Sequence, residues 1–200
     1  MSIYALKPRF QALLRPLARA LFSAGVTANQ VTLAACVVSV ALGAWLAFDP
    51  TQTALFLLVP AWFFLRMAFN AIDGMLAREF GQKSPLGAYL NEITDVVSDA
   101  MLYLPFALLP GSSIAAAATV IVLSVISEMA GVLGLMVGAS RRYDGPMGKS
   151  DRAFVFGLLG LLAGLGVSLG PYLAWVLWAV AAAIAVTIVN RVRHGLAEGA

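Results

Sequence analysis

Asn70-Ala71-Ile72-Asp73-Gly74-Met75-Leu76-Ala77-Arg78, followed by Gly87, Asn91, Asp95 and Asp99, sets carboxylates, amides and an arginine at helical spacing inside a very apolar chain. At 100° per residue, Arg66, Asn70, Asp73, Gly74, Ala77 and Arg78 fall within an arc of roughly 140° on one helix. Gly87, Asn91, Asp95 and Asp99 are spaced by four and drift through roughly 120° on the next.

The surrounding sequence names the solvent. Of 200 residues, 61% are hydrophobic and 12% charged, and the mean hydropathy is +0.89. A water-soluble domain has about half apolar and a quarter charged residues, so most of this chain faces lipid. The single cysteine, Cys36, allows no intrachain disulfide. The net charge of +3 says little until the charges are placed.

Residues 3–22 set Tyr4, Leu6, Phe10, Leu13, Leu14, Leu17 and Leu21 between basic residues, which predicts an amphipathic helix lying on an anionic bilayer surface. Gly25 ends it, and Thr27 is placed to cap the next helix. Six apolar segments come next, at 28–48, 53–77, 87–109, 113–139, 153–169 and 171–191, each long enough to cross the hydrocarbon core. Turn chemistry separates them, including Asp49-Pro50, Pro110-Gly111 and Gly170-Pro171.

The fold expected is therefore an all-α integral membrane protein. Six transmembrane helices (26–193) succeed an N-terminal interfacial helix (1–25), in a single domain over 1–200. The loops after segments one, three and five contain no Lys or Arg. Twelve of the 13 basic residues, all but Arg66, fall on the other side. The positive-inside rule then places both termini in the cytoplasm of a multi-pass cell (inner) membrane protein.

With that topology, segment two descends to the inner surface and segment three returns from it. Asp73 comes level with Asn91, Asn70 with Asp95, and Arg66 with Asp99. Ionisable groups inside a membrane cost several kcal/mol unless paired or hydrated. Two facing polar stripes read as a cytoplasm-facing cleft rather than as helix-helix glue. Oxygen ligands at this spacing suit a hard cation such as Mg²⁺. Gly74, Ala77 and Gly87 keep the walls thin, and Arg78 suits phosphate. Arg66 is expected to form a structural ion pair with Asp99, with Glu128 from segment four as a further partner.

These residues resemble the signature of the CDP-alcohol phosphotransferase family, Asp-x2-Asp-Gly-x2-Ala-Arg-x8-Gly-x3-Asp-x3-Asp. Asp73-Gly74, Ala77-Arg78, Gly87 and Asp95 match it in type and spacing. The resemblance implies transfer of a substituted phosphate from a CDP-linked lipid, usually CDP-diacylglycerol, to a small alcohol acceptor, with loss of CMP, in phospholipid biosynthesis. It implies Mg²⁺ or Mn²⁺ as cofactor and a homodimer in the lipid bilayer, with no nucleic acid partner. Carried over, Asp73 and Asp95 are catalytic and metal-binding, with Asp95 the base. Gly74, Ala77, Arg78 and Gly87 hold the CDP moiety.

Asn70 and Asn91 stand where the signature has aspartate. Their oxygens can ligate a metal but bring no charge. The site would bind one metal, bind metal weakly, or use a different donor. A rival reading is a non-catalytic scaffold. The loop Arg141 to Arg152 supplies Arg141, Arg142, Lys149, Ser150 and Arg152 as candidates for an acceptor or lipid phosphate. Gly148-Lys149-Ser150 lacks the upstream glycine and the strand of a P-loop.

Overall fold

In the computed structural model, residues 6–199 are described; Tyr4 of the expected interfacial helix lies outside them. Among the described residues seven α-helices run α1 (Leu6–Ser23), α2 (Ala28–Phe48), α3 (Leu58–Glu79), α4 (Pro85–Tyr103), α5 (Ile114–Leu133), α6 (Lys149–Gly164) and α7 (Leu173–Gly199). Short 3-10 turns precede α3 and succeed α4 and α5. No strand occurs among the described residues.

Local chemistry starts several of the helices. Thr27 and Gln30 cap α2 reciprocally: Gln30 N donates to Thr27 Oγ1 at 3.2 Å and Thr27 N to Gln30 Oε1 at 2.9 Å. Ser84 Oγ accepts from Gly87 N at 3.0 Å, with Pro85 opening α4 where its missing N–H costs nothing. Ser113 caps α5 in the same way.

Four helical stretches are long and apolar enough to cross a membrane: Ala28–Phe48, Thr53–Glu79, Ile114–Val137 and Leu173–Gly199. The other two expected crossings differ for identifiable reasons. α4 carries Glu92, Asp95 and Asp99 along its length, and α6 has only 16 residues. α6 also starts at Lys149, four residues before the expected segment, because the Asp151 carboxylate accepts from Gly148 N at 2.9 Å. That turn makes Lys149, Ser150 and Arg152 part of a helix rather than a loop.

The surface is that of a membrane protein. Phe48 is 90% and Trp175 76% exposed, while Arg152 and Arg191 are essentially buried. The core stacks aromatic and aliphatic side chains, with Tyr103 and Phe156 rings 3.9 Å apart and Trp62 Nε1 donating to Ser39 Oγ at 2.9 Å. A smaller core of Ala18, Val31, Ile72, Met75 and Leu76 seats α1 against α2 and α3. Arg15 clamps Glu79 through two bonds of 2.9 and 3.0 Å, pinning α1 to the C-terminal end of α3.

Helices in lipid gain from close backbone approach at small residues. A Cβ built on Gly43 would run into the Met101 carbonyl, so α2 and α4 touch backbone to backbone there. We expect Gly43→Val to destabilise the detergent-solubilised protein by about 2 kcal/mol or more through overpacking. Gly157→Ala, whose Cβ finds its nearest neighbour at 3.7 Å, should leave the melting temperature near that of the parent.

Candidate active-site cleft

A cleft of about 1110 Å³ opens between α2, α3, α4, the end of α5 and the loop leading to α6. α3 lines it with Asn70, Asp73, Gly74, Ala77 and Arg78, and α4 with Gly87, Asn91 and Glu92. These are the facing stripes of the sequence pattern. Arg78 folds back over Gly74 so closely that a Cβ there would overlap the guanidinium. Gly87 lies close to Asn29, whose Oδ1 would stand 2.9 Å from an added Cβ.

Asp73 is 7% exposed. Its Oδ2 accepts from Thr32 Oγ1 at 2.7 Å, and no cation among the described residues pairs with it. Asn70 and Asn91 line the same cleft and make no side-chain hydrogen bond to a described residue. Together they present one charge and two neutral amide oxygens. That donor set fits one hard divalent cation and is short of the charge for two. No cluster of three or more Asp, Glu, His or Cys residues suited to a metal occurs among the described residues.

Asp95 is placed differently from Asp73. It is not among the lining residues of the cleft. Its Oδ1 lies 3.1 Å from Arg66 Nη2, and its Oδ2 forms a short ion pair with Lys149. Arg66 also donates from Nη1 to Asp99 Oδ1 at 2.5 Å. Glu128 does not join Arg66, contrary to the expectation from depth alone. It binds Arg152 at 3.0 Å and Arg141 and Arg191 at 3.4 Å each, because the Arg152 guanidinium lies between Glu128 and the Asp99 that Arg66 holds. Arg152 closes the chain of charges by donating to Asp99 at 3.2 Å as well.

The inner-loop candidates separate in the same way. Arg141 alone lines the cleft, held by Glu92 at 2.7 Å and stacked 4.6 Å over Tyr143. Arg142 turns toward Asp144, Glu198 and Ser140. Its guanidinium pulls the Asp144 carboxyl down to about 2. That contact contributes fully above the ordinary aspartate range and fades only as pH falls toward 2. Ser150 is exposed and makes no hydrogen bond through its side chain to a described residue. Arg152 is fully buried and already paired with Asp99 and Glu128.

Several lining residues are not marked by the signature or the loop. Asn29 and Thr32 come from α2, and Gln82 ties the loop after α3 to the start of α2 by accepting from Ala28 N at 2.7 Å. For Asn29 and Thr32 the signal in the sequence is an i, i+3 polar pair in a mostly apolar helix. Its partner on α3 cannot be read from spacing.

Removing one member of a buried ion cluster leaves uncompensated charge. Arg152→Met should destabilise the protein by about 3 kcal/mol or more, with part of the loss recovered in Arg152→Met/Glu128→Gln. Thermal unfolding in detergent measures both.

Known proteins share the sequence family and the fold. The sequence profile of the CDP-alcohol phosphatidyltransferase family matches residues 25–190. The chain is 44% identical to the inner membrane protein YnbA of Escherichia coli, over 98% of this chain and 97% of that one. It is 30% identical to the phosphatidylinositol phosphate synthase of Corynebacterium glutamicum, over 96% of this chain and 87% of that one. The phosphatidylinositol phosphate synthase of Mycobacterium tuberculosis, solved with manganese and citrate, superimposes with a TM-score of 0.73 at 25% identity, covering 90% of this chain and 87% of that one. The same enzyme solved with CDP-DAG bound also gives 0.73, at 23% identity, covering 90% and 92%.

Proposed function

The chain belongs to the CDP-alcohol phosphatidyltransferase family, and we propose that it transfers the phosphatidyl group of CDP-diacylglycerol to a small alcohol, releasing CMP, in phospholipid biosynthesis. The observation that carries the reading is the cleft itself. It keeps Asp73, Gly74, Ala77, Arg78 and Gly87 on its walls and has room, at about 1110 Å³, for a nucleotide and a lipid headgroup. A scaffold that had lost its substrate would have no need of thin glycine walls around an open polar cleft.

In this reading Gly74, Ala77 and Gly87 let the cytidine and diphosphate approach the backbone, and Arg78 binds a donor phosphate. The acceptor oxygen forms a bond to the phosphatidyl phosphorus. The bond from that phosphorus to the bridging oxygen breaks, and the electron pair leaves with CMP. The acceptor proton passes to the Asp95 carboxylate. Asp95 must loosen its contact with Lys149 to receive it, and Arg66 keeps the carboxylate aimed meanwhile. Asp73, Asn70 and Asn91 would hold Mg²⁺ or Mn²⁺, which when bound neutralises charge on the diphosphate. The manganese-containing structure of the mycobacterial relative supports that choice of cation.

The distribution of basic residues supports six crossings, an interfacial α1, both termini in the cytoplasm and a cleft opening there. The relative named as an inner membrane protein supports the same location. The family resemblance supports a homodimer.

With CDP-diacylglycerol and an alcohol acceptor, purified protein should release CMP in a Mg²⁺- or Mn²⁺-dependent manner. Release should stop with chelator and fall by about a hundredfold or more in Asp95→Ala. Asn70→Asp/Asn91→Asp should tighten Mn²⁺ binding roughly tenfold or more by restoring two charges, read by calorimetry. In a Cys36→Ser background, Lys83→Cys should be labelled from the cytoplasmic side and Ser112→Cys from the opposite side. Labelling of both from one side would overturn the topology.

A further inference from the structure

Five cations stand at or behind the cleft wall formed by α4, α5 and the loop to α6, where Arg141 lines it, and each is already held. Arg141 is bound by Glu92 and Glu128. Arg152 is bound by Asp99 and Glu128, and Arg191 by Glu128. Lys149 is bound by Asp95, and Arg66 by Asp95 and Asp99. Glu128 is central: it reaches three arginines, is 8% exposed and still lines the cleft. The lining cations that make no ion pair with a described residue are Arg78 and Lys83, at the junction of α3 and α4 where the donor diphosphate is assigned.

A phosphate arriving on the acceptor would have to take arginines from Glu128. That would leave a nearly buried carboxylate without counter-charge, the costliest outcome for a buried ion cluster. A hydroxyl-bearing acceptor without phosphate asks nothing of those arginines. Resting on the transferase reading above, we propose that the acceptor is an unphosphorylated alcohol, and that Glu128 sets this preference by occupying the arginines that a phosphorylated acceptor would need. Glu128 is a specificity-determining residue here, acting through Arg141, Arg152 and Arg191. The chain thereby differs from the relatives named as phosphatidylinositol phosphate synthases, whose product carries a phosphate beyond the linking one.

The test uses the full chain in detergent with CDP-diacylglycerol present, so that Arg78 and Lys83 are engaged by the donor. CMP release is compared for inositol, glycerol and serine against their phosphorylated forms. The wild type should prefer the unphosphorylated member of a pair roughly tenfold or more in kcat/KM, and Glu128→Gln should narrow or reverse that ratio. In parallel, inorganic phosphate at about 10 mM should leave the wild-type melting temperature unchanged and raise that of Glu128→Gln. A wild type faster with a phosphorylated acceptor overturns the proposal and leaves the transferase reading intact. So does a folded Glu128→Gln that gains neither phosphate stabilisation nor phosphorylated-acceptor turnover. If no acceptor gives CMP, the transferase reading fails, and the phosphate melting comparison still decides whether Glu128 blocks an anion site. Should Glu128→Gln not fold, Glu92→Gln leaves Arg141 only its longer 3.4 Å contact with Glu128 and should show a smaller gain of the same sign.

Discussion

A chain of buried ion pairs, from Asp95 through Arg66, Asp99 and Arg152 to Glu128 and Arg191, holds the rest of this structure in place. Charges inside an apolar bundle have no water to fall back on, so each must meet its partner or raise the energy of the whole fold. The members come from α3, α4, α5, α6 and α7, one or two from each. Closing the chain therefore sets the relative depth and rotation of five helices at once. The apolar contacts around it, such as Tyr103 on Phe156, tolerate sliding in a way that Arg152 between Asp99 and Glu128 does not.

The cleft depends on that closure. Asp95 is held by Arg66 and Lys149, Asn70 to Arg78 of α3 and Gly87 to Glu92 of α4 line the cleft, and α2 completes its wall. Thr32 gives Asp73 its one hydrogen-bond donor from a side chain, and Asn29 closes on Gly87. The two signature aspartates thus end in different electrostatic settings. Asp73 faces the cleft with no cation on it, and Asp95 sits between two.

A shared backbone does not make a shared charge pattern. The chain superimposes on a phosphatidylinositol phosphate synthase at a TM-score of 0.73, yet the first and third signature positions are amides. The lost charges are consistent with the surplus of arginine and lysine around the cleft. The carboxylates of Glu92, Asp95, Asp99 and Glu128 already share Arg66, Arg141, Lys149, Arg152 and Arg191.

The sequence by itself determined the solvent, the helical class, the cap at Thr27, and the stripe Asn70 to Arg78 facing Gly87 and Asn91. Those come from hydropathy, local hydrogen-bonding chemistry and the 3.6-residue period, all of which act within a few turns of chain. Spacing also brought Arg66 to the depth of Asp99. Only the tertiary structure decided that Arg66 would reach Asp95 too, that Glu128 would gather Arg141, Arg152 and Arg191 instead of Arg66, and that Lys149 and Arg152 would enter a helix and turn inward. It also decided that α2 would supply part of the site. The reason is physical: several cations and several carboxylates at similar depth can pair in many ways, and the choice among them rests on which helices become neighbours, which no local pattern encodes.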